Sequence, residues 1–231
     1  MRDAIHAAGG LIGSNYGLPE ALLTRFRLDH PEWRFIGTET VSSVNSRGIY
    51  DRIGSQADKN GDRQLTSYDY SCVSWGHRAA QEMIGSLQYD WYAGQYVWTG
   101  FDYLGEPTPW NGISNTDHAN YGWPAPKNSY FGIIDTAGLP KDTYYFYRAM
   151  WKHDDTTLHM LPAWKSDLVY TGNSKGVPVV VYTNAHKVKL EFTDTNGQTR
   201  EIGTKEFTEK QPKTATSGVR TKARIKKAQT I

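Results

Sequence analysis

The chain has 231 residues, enough for one or two domains, and a mean hydropathy of −0.63. No apolar run approaches the ~20 residues that a bilayer span needs, and the lone cysteine, Cys72, excludes an intramolecular disulfide. The formal charge of +2 is uneven: seven cations against Glu209 give residues 209–231 a charge of +6, which leaves −4 for the rest. That basic tail has no aromatic residues and no heptads, so it is read as a disordered end and not as a nucleic-acid site. The first thirty residues hold no charged-then-apolar signal pattern. This leaves the compartment open between the cytoplasm and the cell surface or exterior. Eight Trp, 15 Tyr and 7 Phe are many for this length. Most must fill the core, but a flat apolar face with a polar edge also suits a sugar.

In chain order, Gly10–Tyr16 is a short apolar run ending in polar and aromatic groups. Pro19 opens a helical stretch through Leu22, Leu23 and Phe26, and Pro31 stops it. Phe35-Ile36-Gly37 is a strand that ends at Glu39, and residues 42–66 are loop-like. Tyr70 to Leu87 reads as a second helix, with Val73, Trp75, Ala79, Ala80, Met83 and Ile84 as its apolar positions. Gln95 to Trp98 is a third strand, followed by a Pro-, Gly- and Trp-rich loop from Gly105 to Asn128. Phe131–Asp135 is extended again, and Asp142 caps a helix from Thr143 to about Trp151. This alternation fits three βα units of a (β/α)8 barrel or a small doubly wound sheet.

After residue 155 the pattern becomes all-β. Val177–Tyr182 and Val188–Phe192 are strands, Asn196-Gly197 signals a hairpin, and Ile202 and Phe207 belong to the next strand or strands. The expected layout is therefore an α/β part over residues 1–154, a partial immunoglobulin-like β-sandwich over 155–208, and the basic tail over 209–231.

Chemistry enters where the strands end. Most glycosidases use two carboxylates flanking the scissile bond, and barrel enzymes mount such groups at the C-terminal ends of their strands. Glu39 stands at such an end, with Thr40, Ser42 and Ser43 beyond it. The run Tyr96-Val97-Trp98-Thr99-Gly100-Phe101-Asp102-Tyr103 contains the end of the third strand, and Gly105-Glu106-Pro107-Thr108-Pro109-Trp110 extends it. Asp102 and Glu106 read either as hydroxyl ligands or as braces for loop N–H groups. The seven histidines show no metal-ligand spacing.

These runs resemble the family 2 glycoside hydrolases, and within them the bacterial β-galactosidases. The likeness rests on Gly37-Thr38-Glu39-Thr40-Val41-Ser42-Ser43 with Arg47-Gly48, on the Trp98 strand and its extension, and on Lys127–Ile133 with Asp135-Thr136-Ala137-Gly138. It covers about residues 10–152, weakens over 155–207 and is absent beyond about 210. The resemblance places these units as the last three of a barrel. It implies Glu39 as the nucleophile, Tyr16 as the tyrosine touching it, and Trp98 as the floor under the galactose ring. Trp110 and Asn111 would lie near the sugar hydroxyls. The implied partner is a β-galactoside, with neither nucleic acid nor membrane involved. No cofactor is implied; some relatives bind sodium or magnesium near the site, but no ligand set in this sequence supports one.

One element of the family pattern is missing. The general acid/base glutamate is preceded by asparagine, and no Asn-Glu pair occurs in this chain. The expectation is a part of a galactosidase that carries the nucleophile, with self-association through an open barrel edge. The competing class is a non-catalytic carbohydrate-binding or remnant protein.

Overall fold

Three short parallel strands, β1 (Ile12–Asn15), β2 (Phe35–Val41) and β3 (Tyr92–Trp98), form one sheet in the order β1-β2-β3. They belong to a computed structural model that describes residues 1–52, 61–111, 126–161, 176–207 and 221–226. By contact the chain divides into Met1–Ile49 with Gly54–Lys141, and Tyr50–Ile53 with Asp142–Ile231.

Parallel neighbours need a crossover between them. In the first unit α1 (Arg2–Ala7) precedes β1, and α2 (Pro19–Leu22), continued by a π-helical turn over Leu23–Arg27, links β1 to β2. Pro19 sits in the first turn of α2, where its missing N–H is no loss. α3 (Ala79–Leu87) leads into β3. The register pairs Asn15 with Glu39 and Val41 with Trp98, so the three strands end side by side. Ile12, Phe35 and Tyr92, one from each strand, are buried with Leu22, Trp33 and Trp91. Phe35 meets the Trp91 ring edge-on at 5.6 Å. A second apolar cluster of Val44, Leu65, Val73, Tyr130 and Phe131 gathers loops beyond β2 and β3.

The stretch Tyr70–Leu87 is helical only from Ala79 onward. Upstream, the backbone is taken by other partners: Ser43 and Cys72 form an antiparallel bridge, and Val73 N–H donates to the Ser42 carbonyl at 3.2 Å. Tertiary pairing thus overrides the apolar periodicity before Ala79. The buried Asp69 carboxylate accepts from the Ala79 and Ala80 N–H groups, both at 3.0 Å, and fixes the start of α3.

In the second unit, β4 (Leu158–Leu161), β5 (Gly176–Thr183) and β8 (Thr221–Lys226) form an antiparallel sheet in the order β4-β5-β8. β6 (Lys187–Thr193) and β7 (Thr199–Glu206) form a hairpin. Its turn uses Gly197 at φ 78°, with Asp194 accepting from the Asn196 and Gln198 N–H groups. The helix α4 (Asp142–Trp151) packs on β4 and β5, with Phe146 edge-on to Tyr182. Val179 to Tyr182 are all buried, as the unbroken apolar run suggests.

Part of the basic tail, expected to lack regular structure, is the strand β8, which pairs with β5 from Gly176–Lys226 to Val181–Thr221. The physical reason lies in its alternation: Thr221, Ala223 and Ile225 alternate with Lys222, Arg224 and Lys226, a period of two masked by the charge.

Candidate active site

The ends of β1 and β2 are conformationally unusual. Tyr16, Val41 and Ser42 have φ of 54°, 73° and 50°, a left-handed region that non-glycine residues rarely adopt. Such backbone is unfavourable by on the order of 1–3 kcal/mol per residue and concentrates where function requires a fixed geometry. Here it turns the chain directly after β1 and at the end of β2, so that side chains from both strands meet.

The Tyr16 N–H donates to the Glu39 carbonyl at 2.7 Å. The Tyr16 hydroxyl donates to Glu39 Oε1 and lies 2.7 Å from Ser42 Oγ. Burial, then the bond to Glu39, push the Tyr16 phenol up from its ordinary range, so it remains a proton donor at neutral pH. Trp75 interacts with the same hydroxyl, and the residue is 53% exposed. Glu39 itself is half-buried on a strand whose next two residues, Thr40 and Val41, are buried. Thr40 Oγ1 donates to the Tyr96 carbonyl at 3.0 Å, tying β2 to β3 just beyond Glu39.

Trp98 ends β3 opposite Val41 and is 37% exposed. Its peptide bond to Thr99 is cis. The Tyr103 ring stands edge-on to it at 6.1 Å. Tyr103 donates to Glu106, and its own hydroxyl is pushed up to about 12 by burial and by that carboxylate, with Tyr16 adding to the shift. The structure therefore brings Tyr16, Glu39, Ser42, Trp75, Trp98 and Tyr103 to one end of the sheet.

Trp110 and Asn111 lie in the chain beyond β3. The Trp110 indole N–H donates to the Arg63 carbonyl at 2.9 Å, and the ring packs on the cluster around Val44 and Phe131. Asn111 is exposed in a turn. Asp102 braces loops: Oδ1 accepts from the Gly132 N–H at 2.7 Å and Oδ2 pairs with Lys141 Nζ at 2.6 Å. Glu106 accepts from Tyr103 and from Thr108 Oγ1. Among the described residues no group of three His, Cys, Asp or Glu side chains is arranged to hold a metal ion.

Sequence reasoning misses Trp75, which it assigns to a helix face. The available signal is Ser74-Trp75-Gly76, where a large ring stands between two weak helix formers. Tyr103 has no role in the sequence reading either; its contacts with Trp98 and Glu106 distinguish it.

No protein-family model matches the chain. β-Galactosidase BoGH2A of Bacteroides ovatus is 38% identical over 165 residues, covering 67% of this chain and 18% of that protein. A Formosa agariphila protein named for a proposed β-glucuronidase activity is 34% identical over 158 residues, 67% of this chain and 14% of its own length. The chain thus spans less than a fifth of either curated relative. Among solved structures, a Bacteroides uniformis β-glucuronidase superposes with a TM-score of 0.50 at 17% identity, over 97% of this chain and 24% of that one. That likeness speaks for the fold. With the two sequence relatives, it establishes that the chain belongs to the family 2 glycoside hydrolases.

Proposed function

We propose that these residues supply the nucleophile side of a retaining β-galactosidase site, built on the last three βα units of a (β/α)8 barrel. What carries the reading is the contact of Tyr16, Glu39 and Ser42 across the ends of β1 and β2. A glycosidase nucleophile must be held so that one oxygen faces the anomeric carbon. Tyr16 holds Oε1, which leaves Oε2 for attack. Trp98 and Trp75 offer exposed aromatic faces on which the C–H face of a pyranose can rest.

In the proposed reaction, Glu39 Oε2 bonds to the anomeric carbon as the glycosidic C–O bond breaks. The aglycone oxygen leaves with the electron pair and takes a proton from a general acid. Water then attacks the same carbon, gives a proton to a base, and releases the Glu39 carboxylate. No Asn-Glu pair occurs in these 231 residues, so the proposal covers the nucleophile and the sugar-facing half of the site. An aryl glycoside with a good leaving group needs little help from an acid, and its first step can run on Glu39.

The 38% identity with a galactosidase favours galactose, and the Formosa relative makes a β-glucuronide the second reading. The test is turnover of dinitrophenyl β-galactoside and β-glucuronide by the chain and by Glu39→Gln. Slow release from the galactoside, lost in Glu39→Gln, is expected. Release only from the glucuronide supports the second reading. Sugar binding without release indicates a non-catalytic carbohydrate-binding protein, and equal release by both proteins moves the nucleophile away from Glu39.

A further inference from the structure

α3 packs against α2, β2 and β3, and it carries Glu82 into that contact with none of the residue exposed. Glu82 Oε2 lies 3.1 Å from His77 Nδ1. The approach is close but poorly aligned, and among the described residues neither Glu82 oxygen nor His77 Nδ1 has a well-formed hydrogen bond. A buried carboxyl in that state is unfavourable and asks for a reason. The titratable groups that face it are His77 from the segment before α3, Glu20 from α2 and Tyr92 from β3. The Tyr92 hydroxyl in turn fills the space over Gly37, where a Cβ would lie 2.3 Å from it.

The segment that ends in His77 is clamped onto the turn behind Glu39. The His77 N–H donates to the Val41 carbonyl at 2.6 Å. Gly76 lies so close that a Cβ there would be 2.4 Å from the Val41 carbonyl oxygen and 2.9 Å from Ser42 Cβ. Ser42 Oγ then touches the Tyr16 hydroxyl, and Tyr16 touches Glu39. A continuous path of close contacts therefore runs from Glu82 through His77, Val41 and Ser42 to the Tyr16–Glu39 pair.

We propose that Glu82 is a positioning residue that sets the Val41–Ser42 turn through His77, and that a proton held between Glu82 and His77 controls the Tyr16–Glu39 contact. The proposal takes its functional meaning from the reading of Glu39 as nucleophile, but its structural content stands apart from it. Burial, with the like charge of Glu20, raises the Glu82 carboxyl to about 7, and burial lowers His77. Below neutrality a protonated Glu82 can donate to His77 Nδ1. Above it, the carboxylate can only accept, so neutral His77 must move its proton to Nδ1 to keep the contact, and this exchange of donor and acceptor shifts the clamp on Val41.

The test is a pH titration of Tyr16 by NMR in the chain labelled with ¹³C at tyrosine Cζ, with Tyr16→Phe used only to assign the signal. The expected result is a step in the Tyr16 shift centred near pH 7 that disappears in Glu82→Gln, a variant that keeps the shape and loses the titration. Glu20→Gln, at an exposed position, should move the step to lower pH by removing the like charge, and it serves if Glu82→Gln does not fold. A Tyr16 signal without the step, or a step unchanged in both variants, would overturn the proposal. Covalent labelling of Glu39 by an activated fluorosugar forms a separate arm. Its failure would count against the nucleophile reading and leave the Tyr16 titration to judge Glu82.

Discussion

Lys141 Nζ reaches Asp102 Oδ2 at 2.6 Å, with the two side chains 1% and 4% exposed. The same ammonium donates to the carbonyls of Asn45, at 2.8 Å, and Tyr130, at 3.3 Å, while Asp102 also holds the Gly132 N–H. One buried pair thus ties together three loops beyond β2 and β3. Removing one partner strands the other charge away from water, which costs about 3–5 kcal/mol. Lys141→Met should destabilise by that much in urea unfolding, and Asp102→Leu with Lys141→Met should recover a large part of it. Single variants within about 1 kcal/mol of the parent would show that water reaches this site.

Gly132 is irreplaceable on steric grounds. A Cβ there would lie 2.1 Å from the Asp102 nitrogen and 2.4 Å from both the Phe101 carbonyl carbon and the Ile134 oxygen, all of them backbone atoms. Gly132→Ala should destabilise by about 3 kcal/mol or more and reduce the soluble yield. A normal melting profile for that variant would mean that the Phe101–Asp102 segment can shift.

The two tryptophans that the sequence assigns to sugar should separate on mutation. Trp98 presents an exposed face, so Trp98→Ala should cost about 1 kcal/mol in stability while abolishing turnover of the aryl galactoside. Trp110 packs on an apolar cluster with its N–H bonded to Arg63, so Trp110→Ala should cost about 3 kcal/mol. Paired thermal melts and rates check this. Equal stability losses would remove the distinction.

Stability should carry a pH signature from Glu82. Its folded-state carboxyl is raised by burial to about 7 from an ordinary 4.5. Between those values the folded chain holds a proton that the unfolded chain has lost. Glu82 therefore stabilises most below about pH 4.5, and that contribution disappears as pH rises to 7, by roughly 3 kcal/mol in all. Urea unfolding at pH 5 and pH 8 should show the decline in the parent and a much smaller one in Glu82→Gln. The same decline in both would place the titrating group elsewhere.

Much of the first unit is legible because its signals are local. Short apolar runs at Ile12, Phe35 and Val97 read as parallel strands, the carboxylate ending the second draws attention to Glu39, and the family resemblance adds Tyr16 and Trp98. What is not legible depends on partners distant in sequence. Asp102 and Lys141 are 39 positions apart, and nothing in the chain announces that they meet. The segment before α3 looks helical until Val73, Gly76 and His77 are seen bonded to or wedged against the turn after β2. β8 is hidden because its alternation lies under a run of cations.

Whether Glu39 is the nucleophile is decided by covalent capture. Dinitrophenyl 2-deoxy-2-fluoro-β-galactoside should transfer its fluorosugar to the enzyme nucleophile, because the activated phenolate leaves with little help from an acid while the fluorine slows release. Incubation, proteolysis and mass spectrometry should find the fluorogalactosyl mass on the peptide containing Glu39, with none on Glu39→Gln and much less on Trp98→Ala. The adduct on Asp102, Glu106 or another carboxylate, or an equal yield from Glu39→Gln, would contradict the account.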